Sequence, residues 1–129
     1  MTTSTVPPAA TASGLSHLQG HHASLRIPAP LAPGAGGQAS LTRTSSGWRI
    51  HLDATGLPRL AGDRFYEAWL RGSDGVLVPI GTFNEGSDVT LWAGVSPASY
   101  KVLTVTRERA DGNEASSGQK VLVGSVRPG

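Results

Sequence analysis

The sequence contains no cysteine, which excludes disulfide bonds, thiolate metal sites and a cysteine nucleophile. This absence leaves the redox compartment open, because a cysteine-free domain suits either side of a membrane. No apolar run approaches the roughly 20 residues that cross a bilayer, and the amino terminus lacks the basic and apolar regions of a secretory signal. We therefore expect the chain as given to be soluble.

Charge is also sparse, with a formal net charge of +2 at pH 7. Basic and acidic residues alternate along the chain, and neither forms a block. A nucleic-acid-binding surface requires clustered Lys and Arg side chains to neutralise phosphates. The sequence therefore argues against nucleic acid as a partner.

Composition divides the chain into two parts. Residues 1–38 hold one charged residue, Arg26, together with five of the nine prolines and no aromatic ring. Residues 39–129 hold every Trp, Tyr and Phe, and aromatic rings supply large buried areas. We expect a flexible Pro/Ala/Gly-rich linker or stalk over 1–38, with one early strand at 22–27, and a single folded domain over 39–129.

Apolar and polar side chains alternate over residues 48–54, which is the period of a half-buried strand. Turn residues recur at regular spacing, and the segments between them predict seven strands: 39–44, 48–55, 65–71, 76–83, 89–95, 101–108 and 120–126. Because no crossover helix is available, the pattern favours antiparallel pairing. We predict an all-β fold, an immunoglobulin-like antiparallel β-sandwich of seven to eight strands, with two sheets closing over Trp48 and Trp69.

Few residues are suited to catalysis or metal binding. His51 is the one histidine of the predicted domain, and alternation places its side chain on the solvent face, where it makes a poor base for a Ser-His-Asp site. His17, His21 and His22 are weak metal candidates, since a helical i, i+4 pair could chelate an ion, but no carboxylate or thiolate completes the shell. We expect no enzyme activity, no cofactor and no metal.

Two further side chains stand out. Trp92 points away from the apolar side chains of its strand, so it is either exposed as an interaction surface or covered by a neighbouring turn. Glu67 lies between two aromatic residues on one strand face, and a partly buried carboxylate needs a partner. We expect a structural ion pair with Arg71, Arg107 or Arg109.

Several short motifs resemble a known family in their order and spacing: Leu57-Pro58, Phe65-Tyr66-Glu67-Ala68-Trp69-Leu70, Pro79-Ile80-Gly81-Thr82-Phe83, Leu103-Thr104-Val105-Thr106-Arg107-Glu108, Ser117-Gly118 and Val121-Leu122-Val123-Gly124. Between about Trp48 and Val126 the chain resembles the C-terminal, extracytoplasmic domain of anti-sigma-K-type membrane anti-sigma factors. The family often carries Gln at position 67. The resemblance implies that one set of residues, here called the motif residues, specifies the fold: Tyr66, Glu67, Trp69, Gly81, Thr82, Phe83, Thr106, Glu108 and Gly118.

The resemblance also implies a function. Family members join such a domain to one transmembrane helix and to a cytoplasmic helical domain that holds the sigma factor, neither of which is present in this sequence. The chain would then be a sensory or regulatory domain on the extracytoplasmic face of the bacterial cytoplasmic membrane. It would act with a protein partner or protease, and it would control protease access to the stalk and thereby sigma-factor-dependent transcription.

An alternative from another class is an extracellular β-sandwich that binds a ligand or a metal. In that case Trp92 and Tyr100 would form a platform for carbohydrate, or the histidines would bind copper.

Overall fold

The computed structural model describes residues 20–26 and 35–128, whose regular structure is entirely β-strand. The strands are β1 (Gly20–Arg26), β2 (Gly36–Thr44), β3 (Gly47–Thr55), β4 (Arg64–Arg71), β5 (Leu77–Phe83), β6 (Val89–Ala93), β7 (Val102–Arg109) and β8 (Lys120–Pro128). They form one antiparallel sheet in the order β5-β4-β7-β8-β1-β2-β3-β6. The predicted all-β, antiparallel, sandwich-like fold is confirmed. The sequence predicted two sheets, whereas in the structure all eight strands belong to a single, nearly closed sheet.

Strand β1 occupies the middle of this sheet. It pairs with β2 along its whole length and with β8 between His21 and Arg26. The backbones of β1 and β8 approach so closely that a Cβ at Gly124 would collide with the carbonyl oxygen of Ser24. The early strand expected at 22–27 within the linker 1–38 is present as β1 and is central to the sheet, whereas residues 1–19 and 27–34 lie outside the described residues.

Alternation along the strands builds the core. In β3, Ile50 and Leu52 are fully buried, whereas Arg49 and His51 are exposed. Buried side chains of this kind come from all eight strands and form one cluster. Burial of each large aliphatic side chain contributes about 1.5–3 kcal/mol, so the apolar face of the sheet supplies the main stabilisation.

Of the two tryptophans expected beneath the closing sheets, Trp48 packs against the core and Trp69 does not. Trp69 is only 4% exposed, but its neighbours Ala68 and Leu70 belong to the core cluster, so its side chain lies on the opposite face of β4. Trp48 is half-buried at the edge of the core. The prediction was wrong for Trp69 because three consecutive residues of β4 are buried, and period-two alternation does not identify the inward face of such a strand.

Strands β5 and β6 stand at the two ends of the sheet and approach each other at Gly81. Gly81 has a φ of +146°, and a Cβ there would lie 2.7 Å from Leu91 Cδ2 in β6. Glycine lets the β5 backbone pack directly against this leucine. The contact covers the core where the sheet does not close by hydrogen bonds.

Candidate functional site

Three motif residues form a chain of hydrogen bonds on the outward face of β4 and β7. Trp69 Nε1 donates to Thr106 Oγ1 at 2.9 Å, and the Thr106 hydroxyl donates to Glu108 Oε2 at 2.6 Å. Thr106 is 1% exposed and Glu108 is 6% exposed. A buried carboxylate is stable only when donors surround it, and here both Thr106 and the following loop supply them.

Glu108 also holds the β7–β8 loop, residues 110–119. The backbone N–H of Ser117 donates to both carboxylate oxygens of Glu108, at 3.2 and 3.0 Å, and the Ser117 hydroxyl donates to the Arg107 carbonyl at 2.6 Å. Gly118 follows with a φ of +79°, in the left-handed region that favours glycine. The Glu108 carboxylate therefore fixes the conformation of the β7–β8 loop, which is a structural role.

Glu67 shares this outward face but has no cationic partner. Neither ion pair found within residues 20–26 and 35–128 includes it. The expected ion pair is therefore wrong. Arg107 and Arg109 are unavailable because alternation along β7 directs them to the opposite face from Glu108. Burial raises the pKa of Glu67, and the negative charge of Glu108 raises it further.

We expect Glu67→Gln to stabilise the domain at neutral pH. A carboxyl pKa raised by folding favours the folded state below the ordinary value of 4.5, and this contribution is lost as the pH rises through the folded-state pKa. Gln removes the penalty, so a gain of under about 1 kcal/mol, typical of relieved like-charge neighbours in a sheet, is expected at pH 7 but not at pH 3. Urea denaturation at both pH values measures it, and an equal gain at both would contradict this account.

The aromatic motif residues Tyr66 and Phe83 lie on the inward face or at its rim. Tyr66 is fully buried, its hydroxyl donates to the Pro58 carbonyl, and its ring lies 5.4 Å from that of Phe83. Burial raises the pKa of Tyr66, and the Arg107 guanidinium offsets part of this rise. Thr82 is exposed and pairs with Glu67 across the β4–β5 ladder. The structure thus divides the motif residues of the strands between the two faces of the sheet.

The two described histidine candidates for a metal, His21 and His22, are not brought together. His17 lies outside the described residues. His21 and His22 are adjacent in β1, so they face opposite sides of the sheet, and the His21 ring packs edge-on against Trp48 at 5.0 Å. The helical spacing on which a chelating pair depends is absent at His21, because this segment is a strand.

Trp92 is 51% exposed on the outward face of β6, directly opposite Arg49 of β3. On the same face, His51 Nε2 and Asp88 Oδ1 lie 2.7 Å apart, and no serine bonds to His51 among the described residues. Tyr100 is half-buried, and its ring lies against Gly72. The aromatic rings of the carbohydrate alternative therefore stand on different elements.

A cavity of about 390 Å³ was not anticipated from the sequence. It lies where β4 begins and β7 ends, and three of its lining residues are Arg64, Arg107 and Arg109. These residues are distant in sequence, and only the β4–β7 register shows that Arg64 stands opposite Arg109.

The family model described as anti-sigma-K factor RskA, C-terminal matches residues 4–120. This match spans most of the chain, and the chain belongs to this family of anti-sigma factor domains. Neither a curated protein nor a solved structure matches it significantly. Anti-sigma factors are regulatory proteins that act with protein partners such as a sigma factor. None of the described residues forms a helix long and apolar enough to cross a membrane.

Proposed function

We propose that this chain is the sensory or regulatory extracytoplasmic domain of a membrane-bound anti-sigma factor. In this proposal the folded sheet controls protease access to the segment before β1, and thereby controls sigma-factor-dependent transcription. Family membership supports the anti-sigma part. The central position of β1, which follows that segment directly, supports the part concerning protease access.

The mechanism depends on how β1 is held. Proteases bind extended substrate whose backbone groups are unpaired, and an edge strand can be released by breaking one ladder. Strand β1 pairs with β2 and with β8, so its release requires two ladders to break. Opening of a central strand has a free energy close to that of global unfolding. In this proposal the two ladders protect Gly20–Arg26 from a protease while the domain is folded.

The test introduces Gly124→Ala into the chromosomal gene, with Gly94→Ala as the matched control. A Cβ at Gly124 meets the β1 backbone, whereas a Cβ at Gly94 meets no atom of the described residues within 4 Å. We expect Gly124→Ala to give a shortened protein on immunoblots and a several-fold rise in the transcripts of one sigma factor's regulon. Full-length Gly124→Ala protein with unchanged transcripts would contradict the proposal.

We also propose that Trp92 and Arg49 form the surface that contacts a protein partner. Trp and Arg are the residue types most enriched at binding hot spots, and here they lie side by side on an exposed sheet face.

We expect Trp92→Thr to change the transcripts of the same regulon while leaving the free energy of unfolding within about 0.5 kcal/mol of wild type. Thr preserves strand propensity, so the backbone of β6 should be unaffected. Thr90→Val, on the same face of β6, is the control. The proposal is contradicted if neither variant changes the transcripts, or if Thr90→Val changes them as much as Trp92→Thr.

A further inference from the structure

Three arginines converge at one end of the sheet. Arg64 of β4 lies directly opposite Arg109 of β7, and Arg107 precedes Arg109 by two residues on the same face. All three line the cavity of about 390 Å³. Like charges placed directly opposite each other in a sheet are destabilising, so this arrangement favours an anion between them.

The acidic groups near the cavity leave most of the N–H donors of these three guanidinium groups without an acceptor. Asp63 Oδ2 lies 3.6 Å from Arg109 Nη2, but both side chains are more than half exposed, and such pairs contribute little. Glu108 and Asp111 also line the cavity, yet Glu108 accepts hydrogen bonds from its own loop and Asp111 Oδ1 accepts one from a backbone N–H at 3.0 Å. Arg107 Nε is buried and has no hydrogen-bond partner among the described residues, while the Arg107 guanidinium also lies within hydrogen-bonding reach of the Tyr66 hydroxyl.

We propose that this cavity binds an oxyanion group, a phosphate or a carboxylate, through the guanidinium groups of Arg64 and Arg107, with Arg109 beside them. A guanidinium presents a planar fork of donors that matches two oxygens of such a group. Gln119 also lines the cavity and offers a neutral donor through its side-chain amide. The cavity size suits a small ligand or the charged end of a larger one.

Because of where the cavity lies, a bound ligand would affect protease access to β1. This consequence rests on the proposed function. The cavity borders Gln119, just before β8 begins, whereas Gly20 lies beside the end of β8 at the far side of the sheet. The nine residues of β8 separate the two ends by roughly 25–30 Å. A ligand that binds only the folded sheet raises its stability by mass action, and would therefore reduce release of β1 at the opposite end.

Isothermal titration of the 129-residue protein with inorganic phosphate and with citrate tests the site. We expect at least one probe to bind with a Kd of about 1 mM or tighter at low ionic strength, and to weaken as NaCl is added. Binding of phosphate alone identifies a phosphate site, and binding of citrate alone identifies a carboxylate site.

The variants separate specific from general charge effects. Arg64 is exposed, so Arg64→Gln should fold normally and weaken binding at least tenfold. Arg43→Gln, which removes an exposed arginine of β2 outside the cavity, should leave binding unchanged. The proposal is overturned if neither probe binds below about 10 mM, or if Arg43→Gln weakens binding as much as Arg64→Gln. Either result would leave the cleavage and transcript results for Gly124→Ala unaffected.

Discussion

Replacement of Glu108 by Ala is expected to lower the free energy of unfolding by about 2–4 kcal/mol. The carboxylate accepts hydrogen bonds from the Thr106 hydroxyl and the Ser117 N–H in a buried position. Hydrogen bonds to a charged group contribute about 1.5–3 kcal/mol, and donors left buried without an acceptor add a desolvation cost. Loss of this one side chain therefore destabilises both β7 and the loop that leads to β8.

Urea denaturation with matched variants measures the effect. Glu108→Gln keeps one acceptor oxygen and should lose less stability than Glu108→Ala. Glu114→Ala, at an exposed position of the same loop, should stay within about 0.5 kcal/mol of wild type. Hydrogen exchange at the Ser117 amide should accelerate in the Glu108 variants alone. A Glu108→Ala protein as stable as Glu114→Ala would contradict the structural role of the carboxylate.

Gly124→Ala is expected to lower the free energy of unfolding by about 2–3 kcal/mol. The added Cβ would collide with the Ser24 carbonyl oxygen and lie 3.0 Å from the Ser24 carbonyl carbon. Both are backbone atoms, so no side-chain rotation relieves the clash, and β1 must move away from β8. The reduced entropy of the unfolded chain offsets only about 0.4–1 kcal/mol of this loss.

Hydrogen exchange locates the effect of Gly124→Ala. Amides of β1 and β8 should lose protection most, whereas those of β5 and β6, at the ends of the sheet, should change least. Gly94→Ala should match wild type, because no atom in the described part of the chain lies within 4 Å of its added Cβ. Uniform loss of protection in every strand would show that β1 is not the element that the substitution displaces.

Local sequence patterns correctly predicted strands whose side chains alternate between the core and solvent. Alternation placed a strand over 48–55, and the structure has it at Gly47–Thr55. The inward face of β4 could not be predicted, since Trp69 and both of its neighbours are buried. The central place of β1 could not be predicted either. The amino-acid composition of residues 1–38 is dominated by the Pro-rich sequence on both sides of this seven-residue strand.

The functional features depend on contacts between distant strands. The sequence singled out Glu108 as a motif residue, but its bond to Ser117 depends on the course of the β7–β8 loop. The opposition of Arg64 and Arg109 and the need for glycine at position 124 follow from strand registers. No local propensity encodes a register between strands so far apart in sequence.

Limited proteolysis tests most directly whether the sheet guards β1. Wild type, Gly124→Ala and Gly94→Ala are digested with subtilisin in native buffer, and mass spectrometry locates the cuts. We predict no cut within Gly20–Arg26 in wild type or Gly94→Ala. In Gly124→Ala we predict cuts there at a rate that rises with the loss of unfolding free energy. Equal cutting of β1 in all three proteins would show that the paired strand does not limit protease access.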